Sequence, residues 1–355
     1  MTSPHPLLPA ALMSRIALWK WTPVAQDLRF ARAYHTCTPI GDKLYLYGGV
    51  KSGDPTACPS DDIVTFDPKQ NVALSGADGG LFRSHHEAVA LGNRWLCVVG
   101  GWDGSRRLST VFSYDIDTGE WASWAEEPPS NPPVGLSSHT CTKVSEQELC
   151  VVGREGGLRT QRRYASVYNL RVNASAKTYR YREEESHTAS RSGHCAALLG
   201  ACAHGRRNGR SLYVFGGRES ATADWVGHWM AGKVQEDLAP SPRLSEQLSL
   251  LVASENAKRE APKSLRHHSC SVIGPFLVAF GGESIGRSRN AVCGDLYICD
   301  TRCTPVSWFR FPGSDSLQRR VGHRTCLLGD CLYLVGGFGA DGRTLCPEIC
   351  VLDIL

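Results

Sequence analysis

Apolar residues in this chain come in short runs that are separated by glycine, asparagine and aspartate. Between residues 85 and 101, the run HHEAVAL is followed by Gly92-Asn93 and then by RWLCVVGG. Two apolar runs joined by a short glycine-containing turn are typical of a β-hairpin. Two further runs, TVFSYDI and GEWASW, come after the loop WDGSRRLS and predict a third and a fourth strand. The pattern therefore predicts a small antiparallel sheet built from consecutive residues.

The same pattern recurs along the whole chain. Each copy has a histidine at the start of its first strand and, with one exception, a pair of glycines after its second strand. The marker histidines are spaced by 51, 53, 55, 74 and 55 residues, and they are His35, His86, His139, His194, His268 and His323. The doublets that follow are Gly48-Gly49, Gly100-Gly101, Gly153-Arg154, Gly216-Gly217, Gly281-Gly282 and Gly336-Gly337. Such a repeat cannot bury its faces alone, so we expect neighbouring copies to pack against each other.

Further residues recur at fixed places within the copies. An arginine often stands three residues before the histidine, in the pattern R-x-x-H, and Tyr or Phe often precedes the glycine pair. Aromatic-Asp pairs end some third strands, as at Phe66-Asp67 and Tyr114-Asp115, and tryptophan occurs in fourth strands. With a period of roughly fifty residues, these motifs resemble the kelch superfamily over nearly the whole chain. The resemblance implies one all-β domain over residues 1–355, a six-bladed kelch β-propeller.

The two ends of the chain predict how such a ring closes. The sixth copy stops at Leu355, inside its third strand PEICVLDIL, and so lacks a fourth strand. The segment ALWKWTPV at 17–24 has the tryptophan pattern of a fourth strand and precedes the first copy. We therefore expect the N-terminal strand to complete the last blade, which removes exposed sheet edges. Deletion of residues 1–24 should then destabilise the whole ring.

The fourth copy carries an insertion, residues 218–264, within its blade. After Pro242, apolar residues at helical spacing predict a short amphipathic helix, and they are Leu244, Leu248, Leu251 and Val252. The third and fourth strands of this copy are hard to place. The segment Trp225 to Val234 is the candidate for one of them.

Composition limits the possible classes of protein. Hydrophobic residues make up 42% of the chain, which is enough for a full core, and 36 glycines with 19 prolines agree with many turns. A net charge of +4 does not indicate the dense basic stripe of a nucleic-acid-binding protein. The apolar run Leu7–Met13 has no basic residue before it and is followed by Arg15, so we expect no signal peptide. We expect no transmembrane helix, because no run of 18 apolar residues occurs.

The fifteen cysteines follow the repeat. Five of them lie one to three residues after a marker histidine, namely Cys37, Cys141, Cys195, Cys270 and Cys326. Equivalent places on one strand indicate small core residues rather than a disulfide framework. The sequence has no CxxC pair, and it has no cluster of histidines that would complete a zinc site. We expect reduced, structural cysteines and a cytoplasmic protein, with nuclear residence also allowed.

Motifs of catalysis lack the context that they require. Gly337–Gly342 spells GxGxxG, but a strand rather than a helix is predicted after it. Gly227–Val234 approaches a phosphate-binding loop without its closing Ser or Thr. The six marker histidines could bind a metal in a central channel, or each could hold the start of its own strand by hydrogen bonding. Their presence in every copy favours the structural alternative, and we expect no catalytic residue, cofactor or metal.

Arginines at the repeat position are the candidate partner-binding residues: Arg32, Arg83, Arg191, Arg320 and Arg266, which is displaced by one. The resemblance to kelch propellers implies that they lie on the face where the loops between second and third strands open. Kelch proteins commonly bind protein partners there. A guanidinium offers a rigid fork for a partner's carboxylate, and the alternative is that these arginines brace the blades. Arg106, Arg107 and Leu108 add a candidate RxL motif, of the kind that cyclins bind, in the loop of the second copy.

We therefore expect a non-catalytic, monomeric protein-interaction module that acts as a scaffold or regulatory partner. By resemblance, the second hypothesis is a substrate receptor of a cullin-type ubiquitin ligase, docked through the leucines of the insertion. The third is a metal-dependent enzyme on a kelch scaffold. Neither nucleic acid nor a membrane is an expected partner. Specificity should lie where the copies differ, at Leu136, at Arg154, in the loop of the second copy and in the insertion.

Overall fold

The computed structural model describes residues 18–76, 78–153, 163–200, 208–217, 223–230, 242–284, 291–313 and 315–355. Within these ranges each copy of the repeat forms a small sheet, and the pairing of successive strands is antiparallel. Arg154 and the insertion residues 218–222 and 231–241 lie outside the described residues. The all-β expectation is confirmed, since the repeats supply nearly all regular structure in the described part of the chain.

The strand β1 (Trp19–Gln26) precedes the first copy. The first copy forms a sheet of β2 (Thr36–Ile40), β3 (Lys43–Tyr47), β4 (Ile63–Asp67) and β5 (Val72–Ser75). The second copy forms a sheet of β6 (Glu87–Leu91), β7 (Trp95–Trp102), β8 (Arg107–Asp115) and β9 (Glu120–Ser123). Both sheets follow the order of the sequence, as the hairpin pattern predicts.

The third and fourth copies keep this plan with local changes. The short strand β10 (Ala125–Glu126) joins the third sheet, which otherwise consists of β11 (Thr140–Ser145), β12 (Glu148–Gly153), β13 (Ser166–Asn173) and β14 (Thr178–Glu184). In the fourth sheet the described strands are β15 (Cys195–Gly200), β16 (Arg210–Phe215) and β17 (Asp224–Trp229). The segment proposed from Trp225 onward thus supplies a third strand, and its residues 231–234 lie outside the described ranges.

The helix α1 (Pro242–Val252) precedes the fifth copy, together with β18 (Lys258–Arg259) and β19 (Leu265–Arg266). The fifth sheet has the order β18-β25-β24-β21-β20, with β20 (Ser269–Ile273), β21 (Phe276–Phe280), β24 (Leu296–Asp300) and β25 (Ser307–Phe311). A separate small sheet pairs β19 with β22 (Glu283–Ser284) and β23 (Ala291–Val292). The sixth copy contributes β26 (Arg324–Leu328), β27 (Cys331–Val335) and β28 (Glu348–Ile354).

The N-terminal strand completes the sheet of the last copy. Strand β1 runs antiparallel to β28, with Trp19 opposite Ile354 and Trp21 opposite Leu352. The indole of Trp21 is buried and lies edge-on to Phe280, with ring centroids 5.0 Å apart. The predicted closure is therefore confirmed, and β1 contributes both hydrogen bonds and core packing.

A closed circle of backbone hydrogen bonds, here called the backbone ring, joins all six copies. It consists of the residues directly before the marker histidines, which are Tyr34, His85, Ser138, Gly193, His267 and Gly322. Each N–H donates to the carbonyl of the equivalent residue in the preceding copy over 2.8–3.2 Å, and that of Tyr34 donates to Gly322. All six residues have φ between 53° and 69°, which is uncommon for residues other than glycine. The shared conformation follows from the ring rather than from local sequence.

The glycine pairs are explained by contacts between neighbouring copies. A Cβ on Gly336 would lie 2.6 Å from the carbonyl oxygen of Arg32 and 2.9 Å from Cε1 of His35. Four other first glycines face the histidine of the next copy in the same way: Gly48 and His86, Gly100 and His139, Gly216 and His268, Gly281 and His323. The doublet is thus a site of close packing between blades.

Four of the six marker histidines also link neighbouring copies by hydrogen bonds, whereas the ring nitrogens of His35 and His268 have no hydrogen-bond partner among the described residues. All six are buried. Nε2 of His86 lies 2.9 Å from Oγ1 of Thr36, and Nε2 of His194 lies 2.9 Å from Oγ1 of Thr140, in each case in the preceding copy. His323 reaches Ser269 over 3.0 Å in the same manner. The structural role is as expected, but the expected partner, the start of the same strand, is wrong, because the rings point across the boundary between blades.

Replacement of Gly336 by alanine should lower the free energy of unfolding by about 2–5 kcal/mol. The new Cβ adds a clash with Arg32 and His35 to the cost of a left-handed alanine. Gly329 is the matched control, because it has φ +58° and no neighbour within 4 Å of a built Cβ. Gly329→Ala should cost only about 1–2 kcal/mol in the same denaturant titration. Equal losses would show that the close packing contributes nothing.

The segment predicted as an amphipathic helix forms α1 and packs against the fifth and sixth sheets. Its buried residues Leu244, Leu248 and Leu251 join a core cluster with Phe280 of the fifth sheet and Leu352 of the sixth. Strand β18, which follows α1, pairs with the outer strand β25 of the fifth sheet. The segment after the fourth copy therefore helps to hold the next two blades together.

Substitution of Leu248 by alanine should destabilise the protein by about 2–5 kcal/mol, because this side chain is fully buried between two blades. The neighbouring exposed Leu250 is the control, and its replacement by alanine should change the free energy of unfolding by less than about 0.5 kcal/mol. Thermal or denaturant unfolding measures both. If Leu248→Ala were as stable as Leu250→Ala, α1 would not belong to the core.

Candidate partner-binding surface

Arg32 holds together the blade in which it lies. Its guanidinium is fully buried and donates to the carbonyl of Gly48 over 3.0 Å and to both carboxylate oxygens of Asp62 over 3.1 Å. Burial raises the pKa of Asp62, but hydrogen bonds and the charge of Arg32 outweigh it and keep that pKa below its ordinary value. Two other arginines make equivalent contacts: Arg191 with Gly216 and Asp224, and Arg320 with Gly336 and Glu348.

The remaining two repeat arginines have different neighbours. Arg83 is buried, donates to the carbonyl of Phe82 over 2.8 Å and lies over the ring of Phe112 at 5.2 Å. Arg266 is partly exposed and forms an ion pair of 2.8 Å with Glu283 across the small sheet. Four of the five arginines are thus buried, which favours the bracing alternative. Direct contact with a partner stays a prediction for this set.

The candidate RxL motif is only partly accessible. Strand β8 begins at Arg107, so the loop of the second copy is shorter than predicted, and Leu108 pairs with Gly101 in the sheet. The guanidinium of Arg107 lies over the ring of Trp102 at 5.7 Å. Arg106 is exposed at the loop tip, with Asp103 3.8 Å away. Of the three residues, Arg106 presents its charge most freely to solvent.

Two kinds of connection form one face of the molecule, here called the loop face. They are the loops between second and third strands and the connections that lead from one copy into the next. They touch at several points, as where Asp27 N–H donates to Pro347 O over 3.0 Å, or where a Cβ on Gly135 would meet Arg107 O at 2.6 Å. Loops of neighbouring copies also touch, since a Cβ on Gly53 would lie 2.7 Å from the carbonyl of Arg343.

Aspartates fix the tips of three of these loops. Each carboxylate accepts the backbone N–H two residues further on: Asp54 from Thr56 over 2.8 Å, Asp103 from Ser105 over 2.8 Å and Asp341 from Arg343 over 2.9 Å. Such side-chain turns replace missing backbone partners and give a loop a defined shape. The loop face therefore has preformed tips at the first, second and sixth copies.

Three apolar side chains in the connections between copies are almost fully exposed. Leu28 is 84% exposed, Val134 is 83% exposed and Leu317 is 81% exposed. Each stands two to four residues before the position of the repeat arginine, occupied by Arg32, Leu136 and Arg320. The repeat pattern does not reveal these three residues, because periodic apolar positions are the buried ones. Their equivalent place just before the repeat position is the signal that could have found them.

Leu136, one of the positions where the copies differ, is fully buried in the core around the second and third sheets. The apolar replacement of an arginine here is therefore a packing change, and Leu136 itself offers no surface to a partner.

A cavity of about 180 Å³ is lined by the six residues of the backbone ring and by residues that follow them in their copies. An ion pair crosses it, in which Nη2 of Arg324 lies 2.6 Å from Oε1 of Glu87. Nε of Arg324 also donates to the carbonyl of His35 over 3.0 Å. Burial lowers the pKa of Arg324, but the charge of Glu87 and its hydrogen bond outweigh this and raise it. The pair joins the sixth copy to the second across the first, and no sequence motif indicated it.

No group of three or more His, Cys, Asp or Glu side chains in the described part of the chain is arranged to hold a metal ion. Every cysteine within these ranges has a free thiol. Among the described residues, no helix has the length and apolar character needed to cross a membrane.

Comparison with known proteins agrees with this geometry. A family profile described as the KLHDC2/KLHL20/DRC7 Kelch-repeats domain matches residues 11–154 and 138–355. Kelch domain-containing protein 9 of Homo sapiens is 53% identical over 338 residues, which cover 95% of this chain and 96% of that protein. The Mus musculus protein of the same name is 52% identical over 341 residues, covering 96% and 97%.

A solved structure extends the comparison to the fold. The structure of YjhT matches with a TM-score of 0.57 at 12% identity, covering 94% of this chain and 99% of that one. At this sequence identity the match shows a shared fold and nothing about function. The family profile and the near full-length relatives establish that the chain belongs to the kelch-repeat family.

Proposed function

We propose that this protein is a non-catalytic interaction module that binds a protein partner through its loop face. The observation that carries the proposal is the exposure of Leu28, Val134 and Leu317 at equivalent places on that face. Binding of a partner over exposed apolar side chains of this size is favourable, because it removes apolar surface from water. Protein interfaces use such side chains as anchors inside a polar rim. The aspartate-fixed loop tips supply a preformed rim, which lowers the entropic cost of binding.

Charged side chains on the same loops would set the register of the partner. Arg106 and Arg343 are exposed at the tips of the second and sixth loops, and Lys51 lies on the first loop, 2.8 Å from Asp62. Rim charges of this kind mainly steer association and select partners rather than supply affinity. The corresponding role is that of a scaffold or regulatory partner, because the proposed face binds a protein without catalysing a reaction.

Two narrower roles suggested by the sequence receive less support. A ligase would have to dock through other residues, because the core buries Leu244, Leu248 and Leu251 of α1. The main contact of a cyclin would be Arg106, because Leu108 is half-buried in β8. Both roles stay predictions. A pull-down of ligase subunits or cyclins with the purified protein tests them directly.

Substitution on the loop face tests the main proposal. Proximity labelling in cells would compare the wild type with the double variant Leu28→Asp/Leu317→Asp. Lys177→Glu is the control, because this exposed residue lies in the turn between β13 and β14, at the opposite end of its strands. Buried arginines such as Arg32 are unsuitable, since their loss would report on folding instead of binding.

We expect the double variant to lose partners that the wild type and Lys177→Glu both label, while its melting temperature stays unchanged. Unchanged labelling by a folded double variant would contradict binding through these side chains. Metal analysis of the same preparation addresses the enzyme alternative, because a stoichiometric metal would overturn the non-catalytic proposal. The free thiols make the cytoplasm our proposed location, with nuclear residence allowed.

A further inference from the structure

Two thiols meet where the first and last copies of the repeat touch. Sγ of Cys37 lies 3.2 Å from Sγ of Cys326. Cys37 belongs to β2 and Cys326 to β26, the first strands of their sheets, and 289 residues separate them in sequence. The two thiols share one core cluster with Tyr333 and Val335 of the sixth sheet.

This geometry is close to that of a disulfide. A disulfide has sulfurs roughly 2.05 Å apart, so the two atoms need to approach by about 1 Å. The strands that carry them already pack side by side at the boundary where β1 closes the ring. We propose that Cys37 and Cys326 form a reversible disulfide that makes the closure between the first and last blades covalent under oxidising conditions.

The oxidant is a peroxide, because a small uncharged molecule can reach a partly covered thiol. The partly exposed Cys37 attacks one peroxide oxygen as its thiolate, which forms a sulfenic acid and releases hydroxide. The sulfur of buried Cys326 then attacks the sulfenic sulfur and expels a second hydroxide, which becomes water. In total, two thiols and one hydrogen peroxide give one disulfide and two waters.

The surroundings set the rate of this step. The hydrogen bond with Cys326 and burial raise the pKa of the Cys37 thiol, and the nearby Arg324 opposes them. Because the thiolate is the reactive form, oxidation should be slow at neutral pH and faster as the pH rises. The pair therefore responds to sustained rather than brief exposure to peroxide.

A second pair of thiols provides an internal comparison. Cys195 donates to the carbonyl of His268 over 3.3 Å, and Cys270 donates to that of Ala196 over 3.7 Å. Each of these sulfurs is thus directed at a backbone oxygen in the neighbouring copy. The two thiols of this second pair also interact with each other. The proposal concerns the pair at the closure, because it joins the first copy to the last and its sulfurs lie 3.2 Å apart.

Mass mapping of the intact protein tests the proposal. The protein is treated with hydrogen peroxide, its remaining thiols are alkylated in denaturant, and tryptic peptides are analysed without reduction. Cys326 shares its peptide with Cys331, so fragmentation must assign the linked sulfur. Cys331→Ser is the matched control and Cys37→Ser removes the link, with Cys37→Ala as a second variant if serine impairs folding.

We expect the Cys37–Cys326 link in the wild type and in Cys331→Ser, and not in Cys37→Ser. The melting temperature should rise by several degrees on oxidation and return with dithiothreitol, because a cross-link over so long a loop restricts the unfolded chain. The proposal fails if both thiols remain open to alkylation, if the link forms without a change in melting temperature, or if Cys37→Ser gains the same stability.

Discussion

Removal of residues 1–26 should lower the stability of the entire ring, not only of the sixth sheet. The deletion takes away β1, so β28 becomes an open edge and the core around Phe280 loses Trp21. Loss of a buried tryptophan alone costs about 3–5 kcal/mol. The lost strand pairing adds to this cost, and the total stability of a domain is only about 5–15 kcal/mol. We expect a melting temperature lower by more than ten degrees, on the order of what such a loss produces.

A chain that begins at Leu18 is the control for this deletion, because it keeps every residue of β1. Calorimetry and near-UV circular dichroism would follow the melting of both chains. The chain from Leu18 should unfold like the intact protein. If the chain lacking residues 1–26 did the same, β1 would be a passive appendage and ring closure would depend on the backbone ring alone.

As the pH falls, the protein should unfold at a pH well above the range in which its carboxylates titrate. Burial lowers the pKa of His139 and His268 to about 4 and that of His323 to about 3. In the unfolded chain a histidine titrates near 6.5, so the unfolded state binds protons first as the pH falls. These histidines therefore stabilise the fold above pH 6.5, and that stability is lost between about 6.5 and 4. Three such residues together lower the free energy of unfolding by roughly 4 kcal/mol for each pH unit that the pH falls within this window.

Denaturant titrations at several pH values between 7 and 4.5 measure this slope. His323→Gln should be less stable at neutral pH but should show a shallower decline with acid, since one proton acceptor is gone. His187→Gln is the control, because this histidine is exposed and is not one of the marker histidines. A wild-type stability that stays level down to pH 5 would contradict neutral, buried histidines.

Sequence reasoning located the elements that depend on local pattern. The hairpin of β6 and β7, the closing strand β1 and the helix α1 follow from alternating apolar runs, from tryptophans before the first copy and from leucines at helical spacing. Each depends on residues close together in the chain. The position of α1 between the fifth and sixth sheets does not, because leucines at helical spacing specify a face to bury and not the surface that covers it.

The candidate site was harder to predict, since it depends on exposure. An arginine at a repeat position is equally compatible with a partner's carboxylate and with Asp62 of the same blade, and only the fold decides between them. The exposed Leu28 and Leu317 carry no periodicity, and the ion pair of Arg324 with Glu87 joins residues 237 positions apart. Contacts across the ring leave no local trace in the sequence.

The pairing of β1 with β28 also fixes an order of events during synthesis. Strand β1 is the first described strand to leave the ribosome, and its partner β28 is the last. Earlier copies can form hairpins as they emerge, but Trp21 has no sheet to join until the sixth copy is complete. A growing chain is therefore an open arc with an apolar strand at its free end. Its exposure to aggregation, and its need for chaperones, should be greatest just before β28 has been synthesised.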